Sequence, residues 1–360
     1  MHHLIDTTDL TPKETQEILN LALDIIANRP AYTEKCKNKT LATLFYEPST
    51  RTRLSFEAAM LELGGNVLGF SDASNSSVTK GESLSDTIKT VNKYSDMIAM
   101  RHFSDGAALV ASRVTDVPII NGGDGSHCHP TQTLADLLTI KREMGRLDNL
   151  VIGMCGDLKY GRTVHSLAKA MLRQEGIEFV FISPEELRMP EYSRDEITEK
   201  GFKFREVRDM ESVLPELDIL YMTRVQKERF DDPAVYDALK DTYILDAEKM
   251  KLAKKDMAVL HPLPRVNEIS VDLDDDPRAA YFRQVENGKF MRMALICKFF
   301  DWKDQKWDNP QMKDVVINPR GIACPNKRCI SYRENVDKLM RPIEGEQDTY
   351  RCAYCETVVR

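Results

Sequence analysis

The chain has 360 residues, 42% of them hydrophobic and 30% charged, the composition of a globular protein of about two or three domains, which excludes a disordered or fibrous one. A net charge of −7 excludes a general attraction to nucleic acid or anionic lipid, so an anionic ligand has to be held by a local cluster of cations. No apolar run exceeds five residues, which excludes a helical membrane span, and the N-terminus lacks the basic-then-apolar pattern of an export signal. Cys36, Cys128, Cys155 and Cys297 are scattered without a pairing pattern and are expected to be small buried or semi-buried residues, which suits a reducing cytoplasm.

From residue 40 to 260 short apolar runs alternate with longer amphipathic ones, the pattern of βα units that build parallel sheets. The first group of strands is predicted at 40–46, 66–70, 96–102 and 117–122. After the first strand comes FYEPSTRTRLSFEAAMLELGG, a turn and a helix ending at Gly64. Ser49 or Thr50 is its N-cap, and Leu54, Ala58 and Leu61 are its expected buried stripe. Its first turn carries Arg51 and Arg53, where the helix dipole and the unpaired N–H groups favour acids. A bound anion reverses that preference, and N–H groups, hydroxyls and guanidinium forks at a strand-to-helix turn make a phosphate cradle. Exposure to solvent, or pairing with Glu47 and Glu57, accounts equally well for these two arginines taken alone.

Beyond the second strand, SDASNSSVTKGESLSD is a small, polar loop ahead of Lys80 and Gly81, with a helix starting near Ser83. It reads either as a mobile surface loop or as a lid whose lysine reaches an anion. The third strand carries Arg101 near its carboxyl end. The stretch HCH at 127–129 resembles a metal cluster, but the proline and helix that follow speak against that reading. Pro130 opens a helix with Leu134, Leu137, Leu138 and Met144 near one face, predicted to link two α/β halves.

The second group of strands is predicted at 149–156, 177–183, 218–223 and 257–262. After its first strand, GDLKYGRTVHSL repeats the earlier theme, with Lys159 in a glycine-containing loop and Arg162 opening a helix. Arg224 and Gln226 follow another strand, at the carboxyl edge where open α/β sheets bind ligands. A helix over 287–302 is expected to return to the first half, and KDQKWDNPQMKD over 303–314 reads as a linker. The chain then closes on Cys324 and Cys329, twenty-two further residues, and Cys352 and Cys355, a C-x4-C and C-x2-C spacing that suits a metal. Two disulfides would use the same cysteines, but are disfavoured in the cytoplasm.

With STRTR (49–53), KGES (80–83), MRH (100–102), HPTQT (129–133), GDLKYGRTVHSL (156–167), YMTRVQKER (221–229) and HPLPR (261–265) in this order, the chain from about residue 4 to 303 strongly resembles the catalytic chain of the aspartate carbamoyltransferase family. The resemblance implies transfer of the carbamoyl group of carbamoyl phosphate to L-aspartate, the committed step toward pyrimidines, with no cofactor in the chemistry. It implies that Ser49, Thr50, Arg51 and Thr52 hold phosphate, with Ser77 or Ser76 as a loop contact, Ser77 preferred. Arg101, His129 and Thr52 would polarise the carbamoyl oxygen, and Gln132 with Pro262, Leu263 and Pro264 would take the carbamoyl amino group. Arg162, Arg224 and Gln226 would bind aspartate's carboxylates, and Lys80 would touch both substrates. In this family the loop completes a neighbouring subunit's site, which implies a homotrimer. The related transfer to ornithine needs acidic or sulfur-containing partners for a cationic side chain, whereas the second half offers Arg162, Arg224 and HPLPR.

The tail resembles the zinc domain of the same family's regulatory chain through CPNKRCIS and YRCAYCE. That implies a structural zinc on Cys324, Cys329, Cys352 and Cys355, and a role in assembly. A nucleic-acid module is the rival, but residues 313–360 carry nine Lys or Arg against seven Asp or Glu, and Zn2+ with four thiolates adds −2, so the net charge is near zero. The expected architecture is α/β: two doubly wound parallel-sheet domains of the carbamoyltransferase type plus a small zinc-ribbon-like β domain. The domains implied are 1–130 with the returning helix 287–303, 131–286, a linker at 304–314, and 315–360.

Overall fold

The computed structural model describes residues 2–72, 77–226, 232–305, 309–319 and 321–360. In chain order the first elements are α1 (Pro12–Ala27), β1 (Thr40–Phe45), α2 (Thr50–Glu62), β2 (Asn66–Phe70), α3 (Leu84–Val91), β3 (Met97–His102), α4 (Ala107–Ser112) and β4 (Ile119–Asp124). There follow α5 (Pro130–Met144), β5 (Val151–Cys155), α6 (Arg162–Met171), β6 (Glu178–Ile182), α7 (Glu191–Glu199), β7 (Lys203–Val207), β8 (Ile219–Met222), α8 (Pro233–Leu239), α9 (Ala247–Met250) and β9 (Ala258–Leu260). The long α10 (Tyr281–Asp301) precedes β10 (Val316–Ile317), α11 (Ile330–Arg333), β11 (Leu339–Pro342), β12 (Tyr350–Cys352) and β13 (Val358–Val359). The chain divides into two units, one of Met1–Thr131 with Lys289–Arg360, the other of Gln132–Gly288.

The first unit is built on a parallel sheet in the order β2-β1-β3-β4. Its inner strands are apolar on both faces, as a sheet covered by helices on both sides requires, and TLATLF is buried after its first residue. The second unit has five parallel strands in the order β7-β6-β5-β8-β9. The tail forms an antiparallel sheet in the order β10-β11-β12-β13 and belongs to the first unit.

All eight strands expected between residues 40 and 262 are present, with ends within two residues of the prediction. The second group nevertheless has five strands, not four. β7, KFREV, places three charges in five residues, and lies at an open sheet edge where charged side chains discourage unwanted pairing. That charge is what hid it. The expected stripe of α2 is also corrected: Leu54 is 49% exposed and Leu61 60%, while Thr52, Phe56, Ala59 and Met60 face the core. Both sets have helical spacing, so periodicity did not decide between them. On α5, Leu134, Leu137 and Leu138 are buried, but Met144 is only partly so. Cys36, Cys128, Cys155 and Cys297 are buried free thiols.

Candidate active site and metal centre

In the first unit the strand order reverses between β1 and β3, so their chain ends leave in opposite directions and open a crevice at the carboxyl edge. Phe45, the last residue of β1, pairs with Arg101 of β3, and β1 leads through Glu47 to the start of α2. Ser49 is the N-cap, but its hydroxyl makes no capping bond. Thr50 and Arg51 are exposed and Thr52 is buried. Of the two first-turn arginines, Arg53 pairs with Glu57 at 2.9 Å, the structural alternative, and Arg51 is exposed.

Arg101 keeps its Nε 3.3 Å from a Glu47 oxygen. A Cβ at Gly123, whose φ is +119°, would lie 3.1 Å from Arg101 Nη1 and 3.3 Å from His129 Cδ2. One at Gly122 would lie 3.4 Å from the Thr52 methyl. The end of β4 therefore lies against Thr52, Arg101 and His129, and at Gly123, with its positive φ, a side chain would crowd Arg101 and His129. Neither glycine was among the predicted site residues. The signal for them was a Gly-Gly pair at a strand end.

Buried Asp124 shapes the loop before His129, accepting from Gly106 N (2.7 Å), Asn121 Nδ2 (2.9 Å) and Cys128 N (3.2 Å). His127 Nδ1 lies 3.2 Å from the same carboxylate. Burial alone would lower the His127 pKa, but the charge of Asp124 and its hydrogen bond outweigh that and raise it. His127 is thus an ion-pair partner of Asp124. Ser77 and Lys80 lie on a short 3-10 turn, Ser77–Lys80, and are exposed, unlike the largely buried group at β4. Ser76 lies outside the described residues.

In the second unit the order reverses between β5 and β8. Arg162 opens α6 immediately after that switch, and Arg224 and Gln226 follow β8. Asp157, fully buried, ties the two loops to each other by accepting from Tyr160 N at 2.9 Å and Gln226 N at 3.4 Å. Gln132 Nε2 donates to Asp136 at 2.7 Å, which turns the amide oxygen of Gln132 outward as an acceptor. Asp136 also accepts from Gln284 Nε2 at 2.6 Å and Tyr221 OH at 2.9 Å. Burial, and then the Asp136 charge, push the Tyr221 pKa well up, so this hydroxyl stays a donor.

The stretch after β9 has its own brace. His261 Nδ1 accepts from Leu263 N at 2.7 Å, so its Nε2 carries the proton that faces Glu268 at 2.7 Å. Burial raises the Glu268 pKa, but the His261 hydrogen bond and charge prevail and the net shift is downward. Asp136 escaped the sequence reading because its donors Tyr221 and Gln284 lie 85 and 148 residues away in the chain, and no role was drawn from the sequence for Asp157, His261 or Glu268.

The cysteines of the tail form the one group among the described residues that can hold a metal, with all four Sγ atoms within 4.8 Å of one another. Cys324 and Cys355 are 3.5 Å apart, and Cys329 and Cys352 3.8 Å. Tetrahedral coordination with bonds of about 2.3 Å puts sulfurs about 3.8 Å apart, whereas a disulfide needs about 2.05 Å, so the geometry fits an ion. Ser331 Oγ at 3.1 Å from Cys329 and Thr357 Oγ1 at 3.2 Å from Cys355 place hydroxyls against the thiolates. The tail docks on the first unit beside Asp105, whose N–H donates to Arg328 O and whose carbonyl accepts from Ile330 N, both at 3.0 Å. The buried Asp105 carboxylate accepts from Asn326 Nδ2 at 3.2 Å on one side and from Ser126 N at 2.8 Å on the other.

Residues 2–142 match the family model of the aspartate/ornithine carbamoyltransferase carbamoyl-P binding domain, 148–299 that of the Asp/Orn binding domain, and 315–360 that of the metal binding domain of the aspartate carbamoyltransferase regulatory chain. The chain is 62% identical over 297 residues to an aspartate carbamoyltransferase catalytic subunit of Lachnoclostridium phytofermentans, covering 82% of this chain and 97% of the relative. A catalytic subunit of Clostridium novyi is 62% identical over 296 residues, with the same coverage. Among solved structures, the catalytic subunit of M. jannaschii aspartate transcarbamoylase superposes with a TM-score of 0.80 at 47% identity, covering 85% of this chain and all of that one. Aspartate transcarbamoylase from Trypanosoma cruzi, in complex with carbamoyl aspartate and phosphate, gives 0.77 at 41% identity, covering 82% and 95%.

Proposed function

The chain belongs to the aspartate/ornithine carbamoyltransferase family, and from that premise we propose that it transfers the carbamoyl group of carbamoyl phosphate to L-aspartate, giving N-carbamoyl-L-aspartate and phosphate, the committed step toward pyrimidines. The observation that carries the reading is the seating of Thr52, Arg101 and His129 on Gly122 and Gly123 at a sheet switch point. Ser49, Thr50, Arg51 and Thr52 hold the phosphate with the open amides of α2. Arg101, His129 and Thr52 stabilise the oxyanion that forms as the amine attacks, fixed donors each worth a few kcal/mol. Gln132, oriented by Asp136, and the backbone of Pro262 and Leu263, oriented by His261, accept from the carbamoyl amino group, with Pro264 closing that turn. Arg162, Arg224 and Gln226 take the carboxylates of aspartate. The departing phosphate accepts the proton of the amine, so no nucleophilic side chain is required.

The aspartate reading is preferred to ornithine because curated relatives at 62% identity bear the aspartate name. Turnover of carbamoyl phosphate with L-aspartate and none with L-ornithine, without added metal, is the expected result; the reverse pattern would sink the reading. We further read the protein as a cytoplasmic homotrimer in which Ser77 and Lys80 reach a neighbour's site. The exposed Leu54 and Leu61 on α2 supply an apolar face for such a contact. A monomeric mass in solution would overturn it.

Zn2+ is the ion that four thiolates at these separations suit, and with all positions filled it supports the fold and takes no substrate. Cys324→Ser is expected to release about one zinc per chain, measured by elemental analysis, and to loosen the tail.

A further inference from the structure

The tail's contact with the rest of its unit extends beyond the metal. Gly106, with φ +80°, meets it so closely that an added Cβ would lie 2.4 Å from Tyr354 Cβ and 2.6 Å from the Tyr354 carbonyl oxygen. The main-chain bonds of Asp105 grip the residues on both sides of Cys329, so this metal ligand and the start of α11 are fixed together against the first unit. At the end of α11, Arg333 lies over the Phe103 ring at 5.3 Å. Glu334 follows, and its two carboxylate oxygens face the N–H of Leu84 at 3.1 and 3.3 Å.

Leu84 is the first residue of α3, four residues after Lys80. Ser83 is the N-cap and accepts from Asp86 N at 3.1 Å, which leaves the N–H of Leu84 to another acceptor. That acceptor comes from a part of the chain 250 residues away. Leu84 and Ile88 of α3 are also buried in the same apolar cluster as Ile330 and Tyr354 of the tail. The segment of Ser77 and Lys80 therefore ends on a helix whose first turn is completed by the metal-built tail.

We propose that Glu334 is a positioning residue for the Lys80 segment: presented by the folded, metal-bound tail, it pins the start of α3 and so sets where the turn Ser77–Lys80 ends. The reaction then depends on the metal through this contact, although the ion takes no part in the chemistry. The proposal rests on the reading of Lys80 as a substrate contact. It needs the negative end of Glu334 only as an acceptor, so a neutral amide oxygen in the same place serves as well.

The test uses the full-length, zinc-loaded protein with Glu334→Ala and Glu334→Gln. Amide hydrogen exchange is followed on peptides spanning 81–91, together with zinc content and the KM for carbamoyl phosphate. Glu334→Ala is expected to keep its zinc, to exchange roughly tenfold faster over 81–91, and to raise KM several-fold with a smaller change in kcat. Glu334→Gln is expected to restore both. Removal of zinc from the wild type by a chelator is expected to speed exchange over 81–91 as well as within 315–360. Unchanged exchange over 81–91 in zinc-loaded Glu334→Ala, or faster exchange confined to 315–360 after chelation, overturns the proposal. Altered exchange with unchanged KM would overturn the link to substrate while leaving the contact. A wild type that does not turn over carbamoyl phosphate with aspartate would instead defeat the functional reading, whatever the exchange shows.

Discussion

Asp105 in the first unit and Asp136 in the second are both buried carboxylates that hold a part of the site in place, but they draw on different neighbours. Asp105 braces the loop before His129 through Ser126 and is itself gripped by Asn326 and by main chain on both sides of Cys329. Asp136 orients Gln132 and takes its other described donors, Gln284 and Tyr221, from within Gln132–Gly288. One half thus leans on the four-cysteine tail, and the described donors to Asp136 all come from its own half. The lesson is that equal-looking lesions should spread differently: damage at the tail reaches the first half, and damage at Asp136 stays in the second.

The largest effect sets the scale for chemistry as opposed to support. Arg101→Ala should lower kcat about a thousandfold with the fold and zinc content unchanged, because it removes a fixed oxyanion donor. A kcat within a few-fold of the wild type would show that the group seated on Gly123 is not the reacting centre. Asp136→Asn should come next. It turns an amide N–H toward one of three donors, and an unsatisfied buried donor costs about 1–3 kcal/mol, so kcat/KM should fall about 10- to 100-fold. Zinc content and exchange over 121–131 should not change; if they did, the second half would not be self-contained. Asn326→Ala is the counterpart on the other side and should be milder, about 1 kcal/mol from one partly buried hydrogen bond. Exchange should quicken over 121–131, where Ser126 leans on Asp105, and stay as it was around Gln132–Asp136. A uniform response across both units would erase the contrast.

The sequence revealed most where function and local pattern share the same few residues. Arg51 and Arg53 stood out because cations at a helix start are locally unfavourable, and the four cysteines because their spacing is itself the ligand chemistry. Strand positions were equally legible, since a strand buried on both faces leaves an unbroken apolar run, and β7 was lost because an exposed edge does not. What stayed hidden was support. Asp136 needs Gln284 and Tyr221, and Glu334 needs Leu84, and nothing in local spacing announces partners so distant. The switch points of both sheets are likewise a property of strand order, which appears only when the chain is folded.

The smallest effect is a titration in the half that leans on the tail. His102, the residue after Arg101, is buried, stacks on Phe103 at 4.3 Å and packs against Tyr46 at 4.7 Å. Its Nδ1 accepts from Ser104 N at 2.9 Å, a bond that needs the neutral ring. Burial, opposed by the charge of Asp124, pushes its pKa down to about 4 from 6.5. Because the folded value is depressed, the unfolded chain binds a proton that the folded one refuses. The contribution of His102 to stability is therefore full above pH 6.5 and declines as pH falls through about 4. At pH 6 the loss is only about 0.8 kcal/mol. His102→Asn keeps an acceptor for Ser104 and cannot titrate in this range. The unfolding free energy that it loses between pH 7.5 and pH 6, measured by urea titration, should be smaller than that of the wild type by this amount. An equal difference in the two proteins would mean that the ring takes up its proton in place, and that the stack from Tyr46 to Phe103, which Arg333 of the tail covers, is looser than its packing suggests.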